Sequence, residues 1–134
     1  MKAIRWNYLL ALAPLPGLAC EPALQGDDIQ KAEGRHYVVA WRVDPAPLRP
    51  REFFALDVAT CANARDNAPR ELRFDAVMPE HNHGMNYRPT VTALGDGRFR
   101  VEGLLLHMPG HWQLRFEIRG SGKTEVISES VSLR

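Results

Sequence analysis

Trp112-Gln113-Leu114-Arg115-Phe116-Glu117-Ile118-Arg119 alternates a large apolar side chain with a charged or amide one at every step. Successive side chains of an extended chain point to opposite faces, so this stretch reads as a strand with one apolar and one charged face. A strand of that kind needs a second layer to cover its apolar face. The pattern continues on both sides. Upstream, Phe99, Val101 and Gly103 alternate with Arg98, Arg100 and Glu102, in a strand that runs on to Leu106. Downstream, Gly120-Ser121-Gly122 turns the chain into a last strand, Thr124 to Leu133.

Further from this centre the signals are shorter but of the same kind. His36 to Val43, rich in Val, Tyr and Trp, reads as a first strand and Phe53 to Thr60 as a second. The proline-rich Asp44–Pro50 joins them, since proline cannot donate to an interior ladder. Cys61 to Arg70 holds the turn formers Asn63, Asp66, Asn67 and Pro69. Glu71 to Val77 alternates again, Pro89 to Leu94 is another short strand, and Gly95-Asp96-Gly97 is a tight turn. About seven short strands and no helix predict an all-β, antiparallel β-sandwich over residues 36–134, with a small barrel as the alternative.

The N-terminal segment reads differently. Lys2 and Arg5 precede a short apolar stretch, Trp6 to Ala13, and Gly17 and Ala19 stand at the −3 and −1 positions of a cut before Cys20. That order predicts an export signal over residues 1–19. The following 20–35, with Pro22, Gly26, Asp27, Asp28 and Gly34, reads as a flexible tether. The expected location is the periplasm. Two fates are open to Cys20: lipidation, which would anchor the chain to a membrane, or a disulfide with Cys61, the only other cysteine. Cys61 otherwise reads as a small core residue. After removal of the signal, 15 basic residues face 16 acidic ones over 115 residues. There is no basic excess for nucleic acid phosphates, and the length suits one core.

The chemistry concentrates elsewhere. Four of the five histidines, and every methionine after Met1, fall between Met78 and His111. They occur as Met78-Pro79-Glu80-His81-Asn82-His83-Gly84-Met85 and as His107-Met108-Pro109-Gly110-His111. Imidazole binds copper and zinc alike, whereas a thioether is soft, neutral and selective for Cu(I). It also needs no deprotonation. The expected cofactor is therefore a copper ion, with His81, His83, Met85, His107 and Met108 as ligands. On an extended segment His81, His83 and Met85 share a face. His107 and Met108 can serve one site only if the chain has left regular strand geometry by Met108. Met78 reads as core, His111 as solvated rim and His36 as an exposed strand end. No nucleophile motif, phosphate loop or paired carboxylates stand out, so a non-enzyme is expected.

Leu72–Ile118 resembles the YtkA-like domain family, small exported bacterial β-sandwich domains. The resemblance rests on M-P-E-H-N-H-G-M at Met78–Met85, N-Y-R-P at Asn86–Pro89 and G-L-L-L-H-M-P-G-H-W at Gly103–Trp112. It implies an immunoglobulin-like sandwich in the periplasm or at a membrane. It also implies copper handling or the assembly of redox proteins, with a cuproenzyme, metal transporter or redox protein as partner. Gly110 would make the turn and Trp112 fill the core. A module that docks on a membrane or redox protein, its histidines serving packing, is the competing expectation.

Overall fold

The computed structural model describes residues 19–134, so the expected signal segment, Ala19 apart, lies outside the described residues. Among the described residues nine strands form: β1 (Gln30–Glu33), β2 (Tyr37–Asp44), β3 (Phe53–Ala62), β4 (Glu71–Met78), β5 (His83–Gly84), β6 (Thr90–Gly95), β7 (Arg98–Leu105), β8 (Gly110–Arg119) and β9 (Thr124–Leu133). They make a five-stranded sheet in the order β1-β2-β3-β7-β6 and a four-stranded sheet in the order β5-β4-β8-β9. Every neighbouring pair is antiparallel. The fold is the all-β sandwich expected, with the seven anticipated strands in place and two short ones added at sheet edges.

Period-two patterning explains which side chains fill the space between the sheets. Val39 and Trp41 of β2, Leu56 and Val58 of β3, and Phe99 and Val101 of β7 face Leu72, Phe74 and Ala76 of β4 and Trp112, Leu114, Phe116 and Ile118 of β8, all buried. The ring centre of Phe116 lies 4.9 Å from that of Trp41 and 5.1 Å from that of Phe74, which ties the two sheets at mid-height. On the outer face of the five-stranded sheet, Asp57 accepts from Arg42 at 2.7 Å and Arg100 at 2.8 Å. Burial pushes the Asp57 carboxyl up, but hydrogen bonds from Arg42 and Arg100 outweigh it and hold the group below its ordinary value.

The segment read as a flexible tether is instead fastened to this outer face. Cys20 is bonded to Cys61, which is half-buried rather than core. Arg42 donates to the Gln25 carbonyl at 3.1 Å, Pro22 is buried, and Gln30–Glu33 pairs along β2 as an edge strand. The segment has few large apolar residues, so its attachment comes from a crosslink and a backbone ladder, which hydropathy does not report. The Cys20 sulfur is used in the disulfide and is not free for a thioether-linked lipid.

Candidate metal centre

Both histidine-bearing segments reach the same end of the sandwich. β4 ends at Met78, and Pro79–His81 forms a single 3₁₀ turn. Asn82 then adopts the left-handed conformation (φ 50°, ψ 41°), which asparagine tolerates better than most residues. This reverses the chain, and His83–Gly84 pairs back on Val77–Met78, with His83 directly opposite Met78. Cross-strand partners share a face. Met78 is buried inward, so His83 is aimed toward the interior end of the sandwich. The Met85 N–H then donates to the Ala76 carbonyl at 3.1 Å, holding Met85 beside β4.

Pro79 and Gly84 also allow an edge strand or structured loop in place of one regular strand carrying His81, His83 and Met85, and that is what forms. Pro79 and the Asn82 reversal convert the segment to a turn, which leaves His81 exposed and His83 and Met85 half-buried. On the second segment β7 stops at Leu105, and the Leu106 carbonyl accepts from the Arg51 N–H at 2.8 Å. His107 and Met108 follow outside the strand, both half-buried, so the condition for both to serve one site is met.

The three imidazoles form a row. His83 lies between His81, at 5.7 Å between ring centres and stacked, and His107, at 5.1 Å and tilted by 34°. Trp112 is their floor. Its ring stands edge-on to His107 at 5.4 Å and to His83 at 6.1 Å. Its indole N–H donates to the Met108 carbonyl at 3.0 Å, which holds the His107–His111 segment over the Trp112 ring. Met85 and Met108 pack against the adjoining core. Gly110 lies beneath them at φ +130°, a backbone conformation that L side chains rarely adopt, and a Cβ there would also meet the Met78 Cε at 2.6 Å.

One feature of this cluster is chemical. Nδ1 of His83 and Nδ1 of His107 are the two buried side-chain polar atoms without a hydrogen-bond partner among the described residues. A buried polar atom left unpaired costs about 1–3 kcal/mol. Two imidazoles bound to one ion at a tetrahedral angle, with metal–nitrogen bonds of about 2 Å, have ring centres about 5 Å apart. The His83–His107 pair has that spacing. Thioethers on both segments add soft donors. Imidazole and thioether are both donor types that Cu(I) accepts, and His83, His107, Met85 and Met108 are half-buried at this end with His81 exposed at its mouth. A cage of three nitrogens is not formed: among the described residues no three His, Cys, Asp or Glu side chains are gathered to hold a metal.

His111 takes no part. It lies on the outer face of β8, and its Nδ1 is 2.7 Å from the Ser132 Oγ. Met78 is core as expected, 1% exposed. His36 is half-buried rather than exposed, at the other end of the sandwich, where its N–H donates to Glu125 at 2.9 Å. The residue that sequence reasoning placed only in the core is Trp112, which is both core and floor. Its signal was its position, one step from His111 on a strand that starts beside His107-Met108. Fold and site together define a class of small β-sandwich domain with an imidazole and thioether cluster at one end. No family model, curated protein or solved structure matches the chain.

Proposed function

We propose that this is an exported, non-catalytic copper-binding domain of the YtkA-like kind, a periplasmic carrier or buffer that serves a cuproenzyme, metal transporter or redox protein. The observation that carries the reading is the pair of buried, unpartnered Nδ1 atoms on His83 and His107, in rings 5.1 Å apart. Thioethers on both segments favour Cu(I) over Zn(II). The Cys20–Cys61 bond supports export, because disulfides persist in oxidising compartments. Copper, when bound, is cargo. The chain's own contribution is to orient the rings on Trp112 and to keep the inner donors half-buried beneath the exposed His81.

Competition of the purified protein for Cu(I) against a chromophoric chelator tests this. The expected result is one ion per chain, tighter than Zn(II). His83→Ala/His107→Ala should weaken it at least about 100-fold, close to 3 kcal/mol. Unchanged Cu(I) affinity in that variant refutes the assignment.

The docking-module reading is favoured by one observation at the same end. Phe53 and Tyr87 are 58% and 47% exposed, and their rings pack edge-to-face at 5.2 Å. If docking alone is the function, Phe53→Ser/Tyr87→Ser abolishes partner binding and the histidine variants do not.

A further inference from the structure

The two lateral sides of the sandwich differ. On one, Glu125 of β9 accepts from the backbone N–H groups of Arg35, His36 and Tyr37, which laces the two sheets together. On the other, β4 of one sheet faces β6 of the other, and β5 covers β4 only at Val77 and Met78. A cleft of about 500 Å³ lies open between them. That size is in the range that holds a single small molecule.

We infer that this cleft binds a single-chain anionic amphiphile, a carboxylate carried on an unbranched apolar chain. The argument is complementarity. Leu72, Phe74 and Phe99 reach the cleft from the core, and Val91 and Ala93 line its β6 side, so its inner surface is apolar. Three arginines, Arg70, Arg73 and Arg88, stand around it against one acid, Glu71. Glu71 is taken up by Arg73 at 3.2 Å. Arg70 and Arg88 are exposed and form no ion pair among the described residues. Guanidinium is weakly hydrated and binds a carboxylate through paired N–H donors. An apolar tail laid along the inner surface leaves water at the same time. Cations beside an apolar lining thus match a ligand with one anionic head and one hydrocarbon chain.

A peptide strand is the poorer occupant, because it would have to extend a backbone ladder. At the β4 edge the Ala76 N–H already donates to Asp75 Oδ1 at 2.8 Å, and the Ala76 carbonyl accepts from the Met85 N–H. β6 is irregular between Ala93 and Gly95, and such irregularities disrupt regular pairing. A hydrocarbon chain needs neither ladder. A small inorganic anion would leave the apolar lining unused. Among the described residues no histidine or methionine lines the cleft, so this inference stands or falls separately from copper binding.

Calorimetric titration of the full chain with dodecanoate, kept below its micelle concentration, tests it. The expected result is one saturable site per chain. Dodecanol, which has the tail without the charge, and acetate, which has the charge without the tail, should each bind at least tenfold more weakly. Arg70→Glu/Arg88→Glu should weaken dodecanoate at least tenfold, and so should Ala93→Trp, which fills the cleft. Arg65→Glu/Arg115→Glu makes the same change of charge outside the cleft and should leave binding unchanged, as should His83→Ala/His107→Ala. The inference is overturned by absence of saturable dodecanoate binding, or by dodecanol or acetate binding as tightly as dodecanoate. Binding that survives either cleft variant, or that falls equally with Arg65→Glu/Arg115→Glu, also overturns it.

Discussion

The two ends of the sandwich are built on opposite principles. At the end holding the disulfide, polar groups find partners across long stretches of chain. Glu125 accepts from the backbone N–H groups of Arg35, His36 and Tyr37 at 2.7, 2.9 and 3.0 Å. The Tyr37 hydroxyl donates to the Lys123 carbonyl at 3.0 Å, Asn67 accepts from the Gly122 N–H at 3.2 Å, and Thr60 donates to the Gly97 carbonyl at 2.9 Å. At the histidine end two buried imidazole nitrogens have no partner, and a pair of aromatic rings faces solvent. A fold able to close its polar groups at one end leaves them open at the other. The open ones are on the side chains that bind soft metals. Clasp and site are therefore separable, and substitutions at the two ends should move stability in opposite directions.

The largest effect belongs to the crosslink. Cys20 and Cys61 are 41 residues apart, and closing a loop of that length lowers unfolded-chain entropy by about 4 kcal/mol. Cys61→Ser should lose about that much in denaturant unfolding while its Cu(I) affinity stays at the wild-type value. A fall in affinity as large as that of the histidine variants would show that the ends are coupled.

Next comes Glu125. Burial pushes its carboxyl up, but the N–H groups of His36, Arg35 and Tyr37, with the nearby His36 charge, outweigh that and hold it below its ordinary value. A depressed carboxylate contributes stability above its unfolded pKa of about 4.3 and loses it as pH falls through the lower folded value. Glu125→Gln keeps one acceptor oxygen and loses the charge. It should cost about 2 kcal/mol at neutral pH and flatten the decline of stability below about pH 4. Urea midpoints measured from pH 7 down to pH 3 read both, and an unaltered acid limb would remove Glu125 from the clasp.

Much of this contrast was legible in the sequence, and the illegible part has physical causes. Alternation located β4, β7 and β8, which bury one face, while apolar content and turn signals located β2 and β3, buried on both faces, and β6 and β9. Both missed β1, whose Gln-Lys-Ala-Glu buries neither face fully, and β5, which is two residues long. The histidine and methionine composition marked the site, but the path of the chain through it turned on Asn82 taking a left-handed conformation, a choice that periodicity does not record. The Glu125 clamp joins residues 88 to 90 positions apart and has no local signature at all.

At the histidine end the sign reverses. His107→Leu removes a buried unpaired nitrogen and supplies apolar volume close to that of the imidazole. Where an unsatisfied polar group is replaced by an apolar one, stability is kept or gained, here by about 1 kcal/mol. Thermal unfolding without metal should shift upward while Cu(I) binding is lost. Destabilisation by more than about 1 kcal/mol would mean that the His107 nitrogen is satisfied in solution, and the two ends would no longer differ in kind.

The smallest effect is expected at His111, and it tests the boundary of the site. His111 is adjacent in sequence to Trp112, the floor beneath His83 and His107. Neighbours on a strand point to opposite faces. Trp112 is buried inward, so His111 stands on the outside of the four-stranded sheet, opposite Ser132 of β9 and 2.7 Å from its hydroxyl. The imidazole is exposed there, and an exposed substitution away from caps and charges usually changes stability by less than about 0.5 kcal/mol. His111→Ala should therefore leave both the unfolding midpoint and the Cu(I) affinity where they were, in contrast to His107→Leu four positions earlier. A loss of Cu(I) affinity on His111→Ala would require the donors to wrap around the end of β8. The separation of an inner site from an outer face, which rests on the alternation of this one strand, would then fail.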